Sequence, residues 1–384
     1  MAAQFSYLNF LRQIPDDLLM QYFASKNIDL EIDFKKLKKK RENTIFHTIT
    51  ELNTEQQIAI ESGFLDINAL ACDGGMAALI DEANFHEDYD FVEFISEIDG
   101  LHAKAMLAFL KRNHYWRAAT LFLRSDNVCS SYWEKRNDLP KTPSYSKKSD
   151  ITELEKAISA FFHRKQGRGR NCQVEVYCRN NKEYFFAYPE NFGQKNAVWE
   201  GGILKIRADH PAFEIIFTYC QEEGSLDIYA PKNNKAIPAL QKIFAQTILH
   251  LNDLSDRKKD KRVYDLEPIA NSNFEFQIEP TSGIADVVVN KLRLTLKHGL
   301  KQRLILEADT KDNKKAIYDL LKKINPPPFF VTQVELLVNF ESKDGKSAKT
   351  RIFSISHPNY CKLNYDGDDL LIRELLAKSG IEIR

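Results

Sequence analysis

The sequence predicts an α+β protein, with an all-helical N-terminal domain followed by a mostly antiparallel β-rich domain that has helices packed on it. Over roughly the first 165 residues, apolar side chains recur at helical spacing and strand signals are nearly absent. From Cys172 the spacing changes to two-fold alternation, in short runs separated by turn-like sequences. Helical patterns next to these runs indicate sheets with helices on one side.

The N-terminal helices are predicted from their start signals and apolar spacing. In "IPDDLLMQYFASKN", Pro15 suits a first turn, and the two acidic residues after it suit the positive end of the helix dipole. An asparagine or threonine caps "NTEQQIAIESGFLDINALA", and the spacing continues in "DGGMAALIDEA", "YDFVEFISEI" and "HAKAMLAFLKRNHYWRAATLFLRS". We assign residues 1–137 to a helical domain and the proline- and serine-rich residues 138–149 to a linker.

Residues 150–252 are predicted to form an α+β module of one helix, five strands and a second helix. Asp150 is expected to cap the first helix, with Glu153 completing a capping box, and Gly167 is expected to end it. The five strand-like runs are "CQVEVYC", "EYFFAYP", "ILKIRAD", "FEIIFTYC" and "SLDIYAP". The closing helix is "AIPALQKIFAQTILHL".

A second α+β module is predicted for residues 263–384, after a charged connector at residues 253–262. Its strand-like runs are "ADVVVNKLRLTL", "QRLILEAD", "VTQVELLVNF" and "KTRIFSIS". Its helices are "NKKAIYDLLKKI", which "NPPP" stops, and "DDLLIRELLAKSG".

The composition argues against a membrane span and against a disulfide or metal scaffold. No run approaches the ~18 to 20 apolar residues that a span needs. The N-terminus lacks a basic stretch followed by an apolar one, so we expect no secretory signal and a cytoplasmic location. The six cysteines are widely spread and lack zinc-site spacing. We therefore expect reduced thiols and neither a metal nor another cofactor.

Charge is balanced overall but segregated along the chain. There are 54 basic and 54 acidic side chains, yet no lysine or arginine lies between Arg41 and Lys104. The acidic region 51–99 could bind a basic protein partner, although pairing with the basic segments on either side is the simpler explanation. A lysine-rich run at residues 35–41 could follow phosphates, but a solvated helix face is the commoner role of such a run.

The segment "HRKQGRGR", residues 163–170, is the first candidate site. A phosphate cradle made from backbone N–H groups needs a strand, a glycine loop and then a helix, whereas here a helix precedes the glycines and a strand follows. Phosphate binding would therefore depend on side chains, and the candidates are Arg164, Lys165, Arg168 and Arg170. The more common explanation for basic residues at this position is that they stabilise the C-terminus of a helix before its glycine cap.

A second candidate patch combines basic and aromatic residues in "KRNHYWRAA" and "SSYWEKR". Basic side chains interleaved with stacking aromatics are typical of single-stranded nucleic-acid surfaces. The basic residues proposed for contact are Lys111, Arg112, Arg117, Lys135 and Arg136. The aromatic residues, with Tyr115 and Trp116 at helical spacing, more simply belong to the core.

These features favour a non-enzymatic cytosolic binding protein, which contacts nucleic-acid phosphates through basic and aromatic segments as part of a larger assembly. One alternative is a hydrolase or nuclease with a site in the middle sheet, for which the candidates are His163, Glu175, His210 and Asp227. The other is a protein-interaction subunit that uses the acidic helical region.

Overall fold

The computed structural model describes residues 5–34, 37, 41–128, 132–254, 263–297, 302–342, 348–364 and 367–383. The chain divides into two compact units, Met1–Val128 and Cys129–Arg384. Most of the lysine run at residues 35–41 and of the connector at residues 253–262 lies outside the described residues.

The first unit is helical, which confirms the prediction for this region. Its helices are α1 (Tyr7–Gln13), α2 (Asp16–Ser25), α3 (Arg41–Glu51), α4 (Thr54–Leu70), α5 (Asp73–Phe85), α6 (Tyr89–Ser96), α7 (Leu101–Lys111) and α8 (Asn113–Asn127). Asn53 caps α4 as expected, because its side chain accepts a hydrogen bond from the Gln56 N–H.

Aromatic packing holds the centre of the first unit. The rings of Phe10 and Tyr22 lie 4.5 and 5.0 Å from that of Phe64, measured between ring centres. Gly63 allows α2 and α4 to approach closely, since a Cβ atom at this position would lie 2.1 Å from the Tyr22 hydroxyl oxygen.

Among the described residues, no single helix has the length and apolar composition to cross a membrane. One bent pair, α4 with α5, meets the criteria of length and composition when the two helices are taken together.

The second unit begins with a five-stranded antiparallel sheet among its described residues. The strands are β1 (Trp133–Arg136), β2 (Cys172–Arg179), β3 (Lys182–Pro189), β6 (Ile215–Cys220) and β7 (Ser225–Tyr229), in the order β1-β7-β6-β3-β2. The helices α9 (Lys148–Gln166) and α10 (Ile237–Thr247) share an apolar core with one face of this sheet.

Two features of this sheet differ from the prediction. The strand β1 belongs to the sheet, although its residues were predicted to lie in the helical domain. The sequence gives no local signal for this strand, because it forms by pairing with the distant β7. The run "ILKIRAD" does not join the sheet. It forms a separate hairpin of β4 (Gln194–Glu200) with β5 (Ile203–Asp209).

The helix α9 ends as predicted but begins differently. Gly167 is its left-handed C-cap, with φ of 71°. The N-cap is Lys147 rather than Asp150, so the expected capping box does not form. Asp150 lies in the first turn, where its carboxylate contacts His250.

A second five-stranded antiparallel sheet follows among the described residues of the same unit. It contains β8 (Ile284–Leu296), β9 (Arg303–Glu307), β10 (Phe329–Phe340), β11 (Thr350–Ser356) and β12 (Tyr360–Cys361), in the order β12-β11-β10-β8-β9. The helices α11 (Ala316–Ile324) and α12 (Gly367–Lys378) contribute Ile317, Ile372 and Leu376 to its core. The predicted α+β fold class is confirmed.

Candidate phosphate-binding site

The loop between α9 and β2 folds back against the last turns of the helix. Gly169 is buried and has φ of 81°, and a Cβ atom at this position would lie 2.7 Å from that of Phe162. The Gly169 N–H donates a hydrogen bond of 2.8 Å to the Glu190 carbonyl, just beyond the end of β3. The second glycine of "GRGR" is therefore required both by backbone conformation and by space.

Arg168 lies where three loops meet. Its Nε donates to the side-chain oxygen of Gln166 at 2.8 Å, its Nη1 to that of Asn191 at 2.9 Å, and its Nη2 to that of Asn233 at 2.8 Å. Asn191 follows β3, and Asn233 lies in the loop between β7 and α10. Since all three acceptors are neutral amides, these contacts fix the guanidinium without neutralising its charge.

Aromatic rings complete the surroundings of this guanidinium. Its central carbon lies 3.9 Å from the ring centre of Phe213, 5.7 Å from that of Phe162 and 5.9 Å from that of Phe192. Burial lowers the pKa of Arg168. No carboxylate contacts Arg168 within the described ranges of the chain, so its positive charge is stabilised by ring faces and amide dipoles alone.

Exposed cations flank Arg168 on two of the three loops. Arg164, Lys165 and Arg170 come from the end of α9 and the following loop, and Lys232 and Lys235 come from the loop that contains Asn233. Among the described contacts, none of these five forms an ion pair with a carboxylate. We refer to this set as the cationic loop cluster: Arg164, Lys165, Arg168, Arg170, Lys232 and Lys235.

The β4–β5 hairpin, called the arm here, leaves the second unit beside the same loops. At its base, the Asn191 N–H donates to the Pro211 carbonyl at 2.7 Å, and His210 Nδ1 lies 3.1 Å from Glu190 Oε1. At its tip, Gly201 and Gly202 both have positive φ, which suits a tight two-residue turn.

The two faces of the arm differ in polarity. Trp199 pairs with Leu204, and Ala197 pairs with Ile206, so these four side chains share one face. Trp199 is 75% exposed, and Leu204 and Ile206 are also exposed. On the arm, Lys205 pairs with Glu200 at 2.8 Å, and Arg207 pairs with Asp209 at 2.9 Å. These ion pairs offset much of its positive charge.

The residues of the second predicted patch do not share one environment. Lys111 and Arg117 are exposed at the end of α7 and on α8, whereas Arg112 forms an ion pair with Asp88. Tyr115 and Trp116 are buried, which confirms their assignment to the core.

Lys135 and Arg136 are excluded from the patch by burial. Both lie in β1 of the second unit and are 3% exposed. Lys135 Nζ lies 2.9 Å from Glu223 and 3.0 Å from Glu382, and Arg136 is paired with Asp138. This corrects their assignment as phosphate contacts, because an ion-paired side chain inside the fold cannot reach a nucleic-acid backbone.

The candidate catalytic residues lie in four different surroundings. His163 is exposed on the last turn of α9, and His210 pairs with Glu190 at the base of the arm. Glu175 accepts a hydrogen bond from the Tyr177 hydroxyl at 3.1 Å. Asp227 is buried in β7 opposite Lys135.

Two parts of the site were not predicted from the sequence. Lys232 and Lys235 lie more than sixty residues after "GRGR", and contacts of Asn233 with Arg168 and Gln166 place their loop beside it. The tip sequence "EGG" between Trp199 and Ile203 was the available signal for the arm.

No known family model matches the chain, and no curated protein is significantly similar to it. The function is therefore inferred from the geometry and charge of the site.

Proposed function

We propose that the protein is a non-enzymatic binding protein whose cationic loop cluster contacts the phosphates of nucleic acid. The observation that carries this proposal is the environment of Arg168. A guanidinium held by neutral amides, among five exposed cations without carboxylate partners in the described residues, gives a surface with uncompensated positive charge. Phosphate groups are the natural counterions of such a surface.

The helix dipole alone does not explain the cluster. Arg164 and Lys165 lie in the last turn of α9, where cations stabilise the negative end of a helix. Arg170, Lys232 and Lys235 lie outside that turn, so the dipole gives no reason for their position. Phosphate binding accounts for both groups.

Within this proposal, the arm supplies contacts that are not electrostatic. Trp199 presents an exposed indole at the tip, and the arm starts at the residues that also hold Arg168. Exposed aromatic rings next to a basic surface stack on unpaired bases in many single-strand-binding proteins. Cations near the base of the arm and a ring near its tip therefore suit a nucleic-acid strand that runs along the arm.

The test is a fluorescence anisotropy titration with short single-stranded and duplex DNA and RNA over a series of salt concentrations. The variant replaces Arg164, Arg170, Lys232 and Lys235 by glutamine. The control replaces the exposed Lys322 and Lys323 of α11 by glutamine as well. Loss of each phosphate contact should reduce the slope of log K against log salt by roughly 0.7 for single strands and 0.9 for duplexes. The control should keep the slope of the unmodified protein.

Further results would separate the two parts of the proposal. Trp199→Ala should weaken binding to single strands more than binding to duplexes, because unpaired bases can stack on the indole. If the unmodified chain binds no nucleic acid at low salt, or if the fourfold variant binds with an unchanged slope, the proposal is wrong.

The exposed surface of α5 and α6 favours a second candidate function, the docking of a basic protein. Phe85, Tyr89 and Phe94 are each about half exposed or more, and Asp90 and Glu93 lie exposed beside them. Aromatic rings among carboxylates suit a partner that presents lysine or arginine next to apolar groups. Replacing Tyr89 and Phe94 by alanine should abolish the binding of a basic partner protein without changing nucleic-acid affinity, and unchanged capture by this variant would exclude the surface.

A further inference from the structure

One face of the second sheet carries two arginines. Among the described residues, no carboxylate is in contact with either of them. Leu292, Leu294 and Leu306 face the helices and are buried, so the residues that alternate with them lie on the opposite face. Arg293 of β8 and Arg303 of β9 are on this opposite face.

The register of the strands places a ring close to the arginines. Arg303 and Phe330 both lie opposite Thr295, one on each side of β8. Because neighbouring strands are about 4.8 Å apart, these two residues are separated by roughly 10 Å across the sheet. The next row along the strands contains Arg293, between Ile305 and Gln333.

The charge of the two arginines is left uncompensated. Arg293 Nε is buried without a hydrogen-bond acceptor in the part of the chain that the structure describes. Burial lowers the pKa of Arg293, and the neighbouring charge of Arg303 lowers it further. The nearest row with carboxylates contains Lys291, whose ammonium lies 3.1 Å from Glu307.

Phe330 offers an aromatic surface in the same region. It is 49% exposed, and Lys297 Nζ lies 4.4 Å from its ring centre. A base that stacked on this ring would replace the ammonium, which could then contact a phosphate. Two arginines, an exposed ammonium and an exposed ring together match a ligand that contains both a phosphate and a planar base.

We propose that this face of the second sheet binds a nucleotide unit, with its phosphate at Arg293 and Arg303 and its base on Phe330. Free nucleotides and the units of single-stranded nucleic acid share this chemistry. The site uses residues outside the cationic loop cluster and does not depend on the function proposed for that cluster.

The test uses the full chain with the four glutamine substitutions in the cationic loop cluster, so that binding to the second sheet is observed separately. Fluorescein-labelled single-stranded hexanucleotides of DNA and RNA are titrated, and unlabelled adenosine monophosphate is added as a competitor. The combined change Arg293→Gln and Arg303→Gln should weaken binding by about tenfold or more, since two charge-assisted contacts are lost. Phe330→Ala should weaken it by roughly 5- to 100-fold, and Phe330→Tyr should retain it.

Competition identifies the source of the nucleotide. Displacement by the monophosphate assigns the site to free nucleotides, and resistance to it assigns the site to a strand, either of which supports the proposal. The exposed Arg303 can be changed alone if the double variant fails to fold. The proposal is overturned if the chain with the four glutamine substitutions binds neither the hexanucleotides nor adenosine monophosphate, the latter titrated directly by calorimetry. It is also overturned if the dissociation constant stays within about twofold in both the Arg303→Gln and Phe330→Ala variants.

Discussion

Lys135 and Glu382, which are 247 residues apart in the sequence, form a buried ion pair in the second unit with Nζ and Oε1 3.0 Å apart. Lys135 lies at the edge of the first sheet, and Glu382 follows the helix α12 that packs on the second. The same ammonium contacts Glu223 at 2.9 Å. A lysine between the buried Glu382 and the partly buried Glu223 therefore links the chain segments that carry the two sheets.

Replacing Lys135 by methionine should destabilise the second unit strongly. Without Lys135, the carboxylate of Glu382 keeps Arg373 at 3.7 Å and that of Glu223 keeps Lys182 at 3.5 Å. Loss of one member of a buried ion pair costs about 3–5 kcal/mol. Chemical denaturation followed by circular dichroism measures the loss. Adding Glu382→Gln to this variant should restore part of the stability, because the more deeply buried of the two carboxylates that lost the ammonium is then neutral. A Lys205→Met control, whose partner Glu200 is exposed, should leave stability nearly unchanged. Equal effects at the two lysines would contradict a structural role for the buried pair.

The same cluster predicts acid sensitivity. Burial alone would raise the pKa of Glu223, but the charges of Lys135 and Lys182 outweigh it and hold that pKa well below the usual range. A carboxylate with a lowered pKa in the folded state stabilises the fold at neutral pH, and this stability is lost as the pH falls through the ordinary glutamate range and below. The free energy of unfolding should therefore decrease from about pH 5 downward. Urea titrations between neutral and acidic pH test this, and Lys135→Met should show a shallower dependence. A parallel decrease in both proteins would remove the cluster as its cause.

The sequence predicted the elements whose signals are local. The helical spacing of the first unit, the Asn53 cap and the left-handed Gly167 each depend on residues close together in the chain. The strand β1 has no such signal, since four residues acquire their strand geometry by pairing with β7. Asp150 carried a cap signature, but the helix begins earlier, at Lys148.

The candidate site was predictable only in part for the same reason. Arg168 could be identified from "GRGR", but its three amide acceptors lie in separate segments, so neither its fixed position nor its neighbours Lys232 and Lys235 could be inferred. Lys135 shows the opposite failure. A basic residue two positions after a tryptophan has the composition of a contact surface, whereas its burial depends on Glu223 and Glu382, far along the chain.

The two glycines of the loop should respond differently to alanine. Gly167 has φ of 71° with open space around its Cβ position, so Gly167→Ala should cost about 1 kcal/mol, from backbone strain alone. Gly169 has φ of 81°, and its added methyl group would also meet Phe162. Gly169→Ala should therefore cost clearly more than Gly167→Ala in denaturant unfolding, and it should weaken nucleic-acid binding because the position of Arg168 changes. Similar losses in the two variants would show that the loop can relax without cost.

Replacing Arg168 by lysine separates the position of the charge from the charge itself. Lysine keeps the positive charge but lacks the planar fork that reaches Gln166, Asn191 and Asn233 together. With two of these three hydrogen bonds lost, the free energy of unfolding should fall by about 1–3 kcal/mol. If Arg168 organises the cationic loop cluster, this variant should also bind nucleic acid more weakly while the slope of log K against log salt changes little, since the number of cations is unchanged.

Arg170→Lys is the matched control, because Arg170 is exposed and its substitution should leave both stability and affinity near those of the unmodified protein. Full affinity in the Arg168→Lys variant would mean that charge alone is sufficient at this position, and the fixed geometry of the three loops would then have no part in binding.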